Sequence, residues 1–263
     1  MDLGLAGKVA LVAAASKGLG RAIAHELAAE GASLAICSRD RAAIEATGRA
    51  IADATGAQVL ARAADVSRPA DIAAMVEAAL ARFGRVDVLV TNSGGPPPGR
   101  FEALDAAAWQ KAAELTLFAP VEFARRVLPG MKERRWGRIL NVTSIAVKQP
   151  IDNLMLSNSL RAAVTGWART LANEVAPFGI TVNNLMPGFT RTERMVELAR
   201  AAVEREGITE AEAMQRWERE IPVGRMGEPR EFAALAAFLA SERASYITGT
   251  SIPVDGGWIK TLL

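Results

Sequence analysis

The chain has little of several things. Cysteine occurs once, at Cys37, so no internal disulfide can form. Tyrosine occurs once (Tyr246) and histidine once (His25), so a mechanism needing either residue has one place to find it. Lysine is scarce, 6 against 25 arginines, a bias that genome base composition accounts for. No uninterrupted apolar run approaches the roughly 20 residues needed to cross a bilayer. The opening MDLGLAGKVALV lacks a basic region ahead of a long apolar stretch, so no signal peptide is visible. An excess of one charge is also missing: 31 basic and 29 acidic residues leave a net +2. Such a balance sets up no large field to gather nucleic acid or an anionic membrane. The expectation is a cytoplasmic protein with no nucleic-acid or membrane partner.

What is present is an ordinary globular composition. Half of the 263 residues are apolar and 23% are charged, enough to build a substantial core. Short β-branched runs alternate with longer Ala-rich stretches of helical periodicity. Strands are expected at Lys8–Val12, Ser33–Cys37, Gln58–Ala63, Val86–Thr91, Arg138–Val142, Gly179–Leu185 and Ser251–Val254. Helices are expected at Gly18–Glu30, at Arg41–Ala54 and from about Pro69, the last with Ser67 as cap. Strands apolar on both faces, alternating with helices, imply a parallel sheet covered on both sides. No linker or repeat divides the chain, so 1–263 reads as a single domain. Gly94–Gly99 (GGPPPG) reads as a rigid loop.

One segment stands apart. Arg191–Glu220 is highly charged, and Thr209 and Glu212 form a capping box that starts a helix at Glu210. A helical insertion at about 191–220, beyond a strand's carboxyl end, sits where a lid over a crevice would sit. A solvated pair of surface helices fits the sequence equally well.

The turn after the first strand reads Ala13-Ala14-Ala15-Ser16-Lys17-Gly18-Leu19-Gly20 and then opens a helix. Glycines there let backbone approach a pyrophosphate, which the helix N–H groups and dipole would hold. The second strand ends Cys37-Ser38-Arg39, where an NAD site usually places an acid for the ribose 2′-hydroxyl. Asp40 follows but serves better as a helix cap. Arg39 and Lys17 favour a 2′-phosphate, hence NADP(H) over NAD(H).

Together with Asp65-Val66, Thr91–Gly94, Asn141–Ser144, Pro187-Gly188 and YITGTSIPVDGG from Tyr246, this turn resembles the classical short-chain dehydrogenase/reductase family, in particular 3-oxoacyl-carrier-protein reductases. The resemblance spans nearly the whole chain. It implies a doubly wound Rossmann-like α/β fold with a seven-stranded parallel sheet, assembled as a homotetramer or dimer. Trp258–Leu263 would contribute to such an interface. The resemblance also implies that Ala14, Ser16, Lys17, Gly18, Leu19 and Gly20 form the phosphate turn, Ala14 standing for a glycine. It places Asp65 and Val66 at adenine, Asn92, Ser93 and Gly94 along the cofactor, and Pro187 and Gly188 beside the nicotinamide.

The family's Asn-Ser-Tyr-Lys catalytic set is mostly absent. Its serine matches Ser144, but its tyrosine falls at Ser157, its lysine at Arg161, and its asparagine, on the helix that includes Trp109, at Thr116. A phenol of pKa about 10 can be tuned to deliver a proton; an aliphatic hydroxyl cannot match it. Arg161 can still hydrogen-bond a ribose but, with a pKa above about 12, relays no proton. Lys148, four residues past Ser144, is a candidate substitute acid if desolvated and a plain loop lysine if not. Tyr246 reads as a packing residue and His25 as a surface or packing residue of the first helix. No metal is expected. Three readings follow: an NADP(H)-dependent reductase of a small carbonyl or alcohol with a non-standard proton source, a catalytically silent dinucleotide-binding sensor or assembly subunit, and a non-redox enzyme using the same pocket.

Overall fold

The alternation in the sequence becomes alternation in space. The computed structural model describes residues 2–262, with Arg205 described by its backbone alone. In chain order the elements are β1 (Val9–Val12), α1 (Gly18–Ala29), β2 (Ser33–Ser38), α2 (Arg41–Thr55), β3 (Val59–Ala63), α3 (Pro69–Phe83) and β4 (Val88–Thr91). Then come α4 (Ala106–Ala113), a π-helical turn (Glu114–Phe118), α5 (Ala119–Arg134), β5 (Gly137–Val142) and α6 (Met155–Val175). The chain closes with β6 (Ile180–Pro187), α7 (Glu193–Glu206), α8 (Glu210–Glu220), α9 (Pro229–Ala240) and β7 (Ser251–Val254).

The strands form one parallel sheet in the order β3-β2-β1-β4-β5-β6-β7. Successive side chains of each strand face opposite sides. Ala10 and Val12 of β1 therefore pack with α1, α2 and α9, while Leu11 packs with α3, α5 and α6 on the other face. This is the doubly wound, Rossmann-like architecture the sequence implies. Among the described residues no helix is long and apolar enough to cross a membrane. Cys37 lies wholly inside β2, where burial pushes its thiol up to about 12, so it stays protonated and inert.

Several local expectations change. β4 starts two residues later than expected and β6 runs on to Pro187. Ser67 does not cap α3; Arg68 holds that position without a side-chain bond, and the Ser67 hydroxyl instead donates to Asp65 Oδ1 at 2.8 Å. Tyr246 is not a packing residue, since its side chain is fully exposed. The strands are not apolar throughout. Thr91 Oγ1 donates to Asn141 Oδ1 (2.7 Å), Asn141 Nδ2 to Asn184 Oδ1 (3.0 Å) and Asn184 Nδ2 to Ser251 Oγ (3.0 Å). This polar ladder ties four adjacent strands, from the last residue of β4 to the first of β7, and each amide fills its partner's need within the sheet.

The opposite edge carries buried charge that is fully met. Asp87, just before β4, has no exposed surface; its Oδ2 accepts from Val9 N (2.9 Å) and its Oδ1 pairs with Arg85 (2.7 Å) and Arg134 (3.5 Å). Arg138 of β5 donates to the carbonyls of Ser241, Gly137 and Gly179, pairs with Glu242 at 3.6 Å and stacks on Trp136. Removing Asp87 strands the buried Val9 N–H and leaves the buried Arg134 Nε without its ion-pair partner, while Arg85 keeps access to water. Asp87→Ala is therefore expected to cost about 1–3 kcal/mol, read as a lowered midpoint in urea or thermal unfolding.

Candidate active site

The carboxyl ends of the strands open onto a cleft of about 1280 Å³. Its floor begins with the turn after β1. Ala14 sits in the left-handed region, at φ +50°. A side chain at Gly20 would stand 2.3 Å from the Ala14 carbonyl oxygen, so only glycine lets α1 approach the turn this closely. Asn92 Nδ2 donates to the same oxygen at 3.3 Å, linking the turn to the end of β4. α1 starts at Gly18 with no side-chain cap and no acid in its first turn. By contrast, Asp40 caps α2 as expected, and Thr209 and Glu212 box the start of α8. An uncapped helix start beside a cleft is a ready anion site. Ala14, Ser16, Lys17, Gly18 and Leu19 line the cleft there.

Arg39, Asp65 and Val66, the residues expected at the adenine end, line the same cleft. Arg39 is exposed and makes no ion pair among the described residues. Burial disfavours the Asp65 carboxylate, but hydrogen bonds from the Ser67 N–H and hydroxyl, with the charges of Arg39 and Arg68, outweigh it and hold its carboxyl below the usual range. Lys17 does not stand free beside Arg39: its Nζ pairs with Glu197 Oε1 at 3.3 Å. Asn92, Ser93, Gly94, Pro187 and Gly188 complete the wall. A Cβ on Gly94 would meet nothing within 4 Å, whereas one on Gly188 would strike Asp255 Cα at 2.6 Å. Gly188 is thus needed for packing, and Gly94 borders open space.

At the other end, Ser144, Ser157 and Arg161 converge on the cleft. Ser144 begins a short 3-10 turn, and its Oγ accepts from Ala146 N at 3.1 Å, leaving its O–H free to donate. Ser157 and Arg161 lie one turn apart on α6 and share a face. Arg161 is buried, with Nη1 donating to the Val142 carbonyl at 2.6 Å. Burial, and then the nearby charge of Arg194, push its guanidinium down to about 10, which leaves it protonated at neutral pH. Thr116 sits within the π-helical turn, buried, with its Oγ1 unpartnered. A cavity of about 10 Å³ lies between Thr116 and Arg161, about one water in size. Lys148 is not brought to the site; it is exposed at the end of the 3-10 turn and outside the cleft lining, which fits a solvated lysine. His25 is exposed on α1, away from the cleft.

The insertion supplies residues that sequence reasoning missed. Arg194 Nη2 donates to the Pro96 carbonyl (3.0 Å), and Glu197 stands between Arg194 (3.3 Å) and Lys17 (3.3 Å). Their i,i+3 spacing on α7 was the available signal; what it faced was not readable. Phe189 stacks on Trp217 of α8 (5.8 Å between centroids) and meets Trp258 edge-on (5.6 Å). Trp258 Nε1 donates to Glu220 at 3.1 Å. Trp258 is thus buried against its own insertion, Leu262 is exposed, and Leu263 lies outside the described residues.

Known proteins share this architecture. A family model described as enoyl-(acyl carrier protein) reductase matches residues 13–259. The NADPH-dependent reductase BacG of Bacillus subtilis is 34% identical over 97% of this chain and 99% of its own length. The 3-oxoacyl-[acyl-carrier-protein] reductase FabG of Vibrio cholerae is 36% identical over 97% of this chain and 98% of its own. The L-sorbose reductase of Gluconobacter frateurii, solved with NADPH and L-sorbose, superposes with a TM-score of 0.95 at 35% identity, covering 100% of both chains. With the seven-stranded parallel sheet and the glycine turn in place, the chain belongs to the classical short-chain dehydrogenase/reductase family.

Proposed function

We propose that the chain is an NADP(H)-dependent oxidoreductase that reduces the carbonyl of a small molecule to an alcohol without a tyrosine acid. One observation carries the reading: a single cleft runs from the uncapped start of α1, past Arg39, to Ser144, Ser157 and Arg161. The relatives solved or named with NADPH support the cofactor class. The residues here fit it. The α1 N–H groups and Gly18 would hold the pyrophosphate. Arg39 would take the 2′-phosphate, because Lys17 is engaged by Glu197 and the Asp40 carboxylate is spent on Ala43 N.

The dihydronicotinamide, when bound, would supply a hydride to the carbonyl carbon while the C=O electron pair moves to oxygen. The protein must then stabilise that oxygen and give it a proton. Ser144 and Ser157 donate hydrogen bonds to it, and Arg161 stabilises negative charge through a guanidinium that stays protonated. None of the three is a good acid near neutral pH, so the proton comes from water in the cleft. α7 and α8 act as a lid over this chemistry, clasped to the floor through Glu197–Lys17 and Arg194–Pro96. The exposed Phe118 and Tyr246 are surfaces that a homo-oligomer would cover.

Two measurements test this. Calorimetric titration of nucleotide-free protein is expected to show tighter NADPH than NADH binding. Arg39→Gln should weaken NADPH by about 10- to 100-fold, the worth of a charge-assisted contact, and leave NADH nearly unchanged. A loss equal for both cofactors counts against the 2′-phosphate role. Restoring the acid with Ser157→Tyr and Arg161→Lys together should raise steady-state carbonyl reduction by about 10²- to 10⁴-fold. No gain in a folded, NADPH-binding double variant counts against the missing-acid account.

A further inference from the structure

Three charged side chains are buried among the described residues: Asp87, Arg138 and Arg161. The first two have ion-pair partners. Arg161 has none among the described residues, and the one hydrogen bond of its side chain there goes to the Val142 carbonyl. None of the carboxylates lining the cleft, Asp40, Asp65, Asp152, Glu193 and Glu197, pairs with it. Burying a cation without a counter-ion is costly, so the anion that completes the site has to arrive with a ligand. Arg194 brings a second positive charge toward the same space. A guanidinium has five N–H donors on three atoms. One meets Val142, and the rest exceed what a ribose diol alone would use.

We propose that Arg161 determines substrate specificity: the substrate is an oxo acid whose carboxylate pairs with the Arg161 guanidinium while its carbonyl oxygen lies against Ser144 and Ser157. This rests on the reductase reading of the same cleft. The spacing sets the chemistry of the substrate. Ser157 and Arg161 are four residues apart on α6, so their Cβ atoms stand about 5–6 Å apart. Ser144, Ser157 and Arg161 line one end of the same cleft, so the class proposed carries its carboxylate on the carbonyl carbon or one carbon away, which keeps the two groups together at that end. Ile145, Leu154, Leu115 and Phe189 line the space beyond, which suits an apolar tail. The reaction balances as a two-electron reduction: NADPH is oxidised to NADP⁺, hydride joins the carbonyl carbon, water supplies the proton to oxygen, and the product is a hydroxy acid.

The test compares 2-oxo-4-phenylbutyrate with its ethyl ester at saturating NADPH, using folded wild-type protein, R161M and R161K. The acid is expected to exceed the ester in kcat/KM by at least 10-fold. R161M should lower that acid-to-ester ratio by about 10- to 100-fold, and R161K, which keeps the charge but loses the fork, by less. Equal rates for acid and ester, or a ratio unmoved in both variants, overturn the proposal. So does a loss of NADPH affinity in the variants with the ratio unchanged, which assigns the guanidinium to the cofactor. If neither compound is reduced although NADPH binds, the reductase reading fails by itself. The carboxylate site is then read by quenching of bound NADPH fluorescence with 4-phenylbutyrate against 4-phenylbutanamide. Selective binding of the acid that R161K weakens supports the site, and no selectivity overturns it.

Discussion

A charge taken out of water must be met by another charge or by dense hydrogen bonding, and in this protein that constraint separates the two edges of the sheet. At the amino-terminal edge it is satisfied. Asp87 collects Val9 N, Arg85 and Arg134, and Arg138 collects three carbonyls, Glu242 and the face of Trp136. At the carboxyl edge it is left open, because Arg161 meets one carbonyl and no anion. Stability is concentrated where the charges close on each other, and chemistry where they do not. The strand order explains why the open edge is also a cleft. The strand order reverses between the parallel neighbours β1 and β4, so the connections following them diverge and leave a crevice above the strand ends.

What keeps that crevice in shape is mostly neutral. Gly20 brings α1 against the turn at Ala14, and Asn92 hydrogen-bonds the same carbonyl from the end of β4. Below them the Thr91–Asn141–Asn184–Ser251 ladder fixes four strands in register. These contacts are short, directional and buried, so the strand ends are held without spending any of the charges that face the cleft. The insertion is bound differently. Its aromatic seam through Phe189, Trp217 and Trp258 is apolar, but it is tied to the cleft floor by one exposed ion pair, Glu197–Lys17, and one carbonyl bond. Exposed pairs of this kind contribute little, about 0–1 kcal/mol each, so they suit a contact that opens and closes.

The sequence displayed the sheet well because periodicity and punctuation report backbone, and backbone is most of this fold. The strands at Ser33 and Ser251, the Asp40 cap and the Thr209–Glu212 box all depend on residues within a few positions of each other. Contacts between distant segments were not legible. Ser67 looked like a cap until Asp65 proved the nearer acceptor, and Lys17 looked free until Glu197, 180 residues on, arrived beside it. Tyr246 misled for another reason. Its neighbours in YITG are held by Val182 and Asn183 of β6, but among the described residues no such contact is made by the Tyr246 side chain, which is fully exposed.

The departures at Ser157 and Arg161 make best sense taken together. An acid that protonates the product oxygen must give up its proton during the reaction and regain it afterwards, which works best with a pKa near the working pH. A buried arginine at about 10 does neither; it is charged before, during and after. Such a group cannot turn over protons, but it can hold an anion in one place through the whole reaction. In the proposed reading, a small hydroxyl and a fixed fork in place of a phenol and an ammonium trade proton delivery for orientation. Serine leaves room at the floor of the cleft that a tyrosine ring would fill, and the guanidinium presents a planar, bidentate partner to whatever enters that room. In that reading the two residues are complementary, the small Ser157 side chain and the Arg161 guanidinium lining the same end of the cleft.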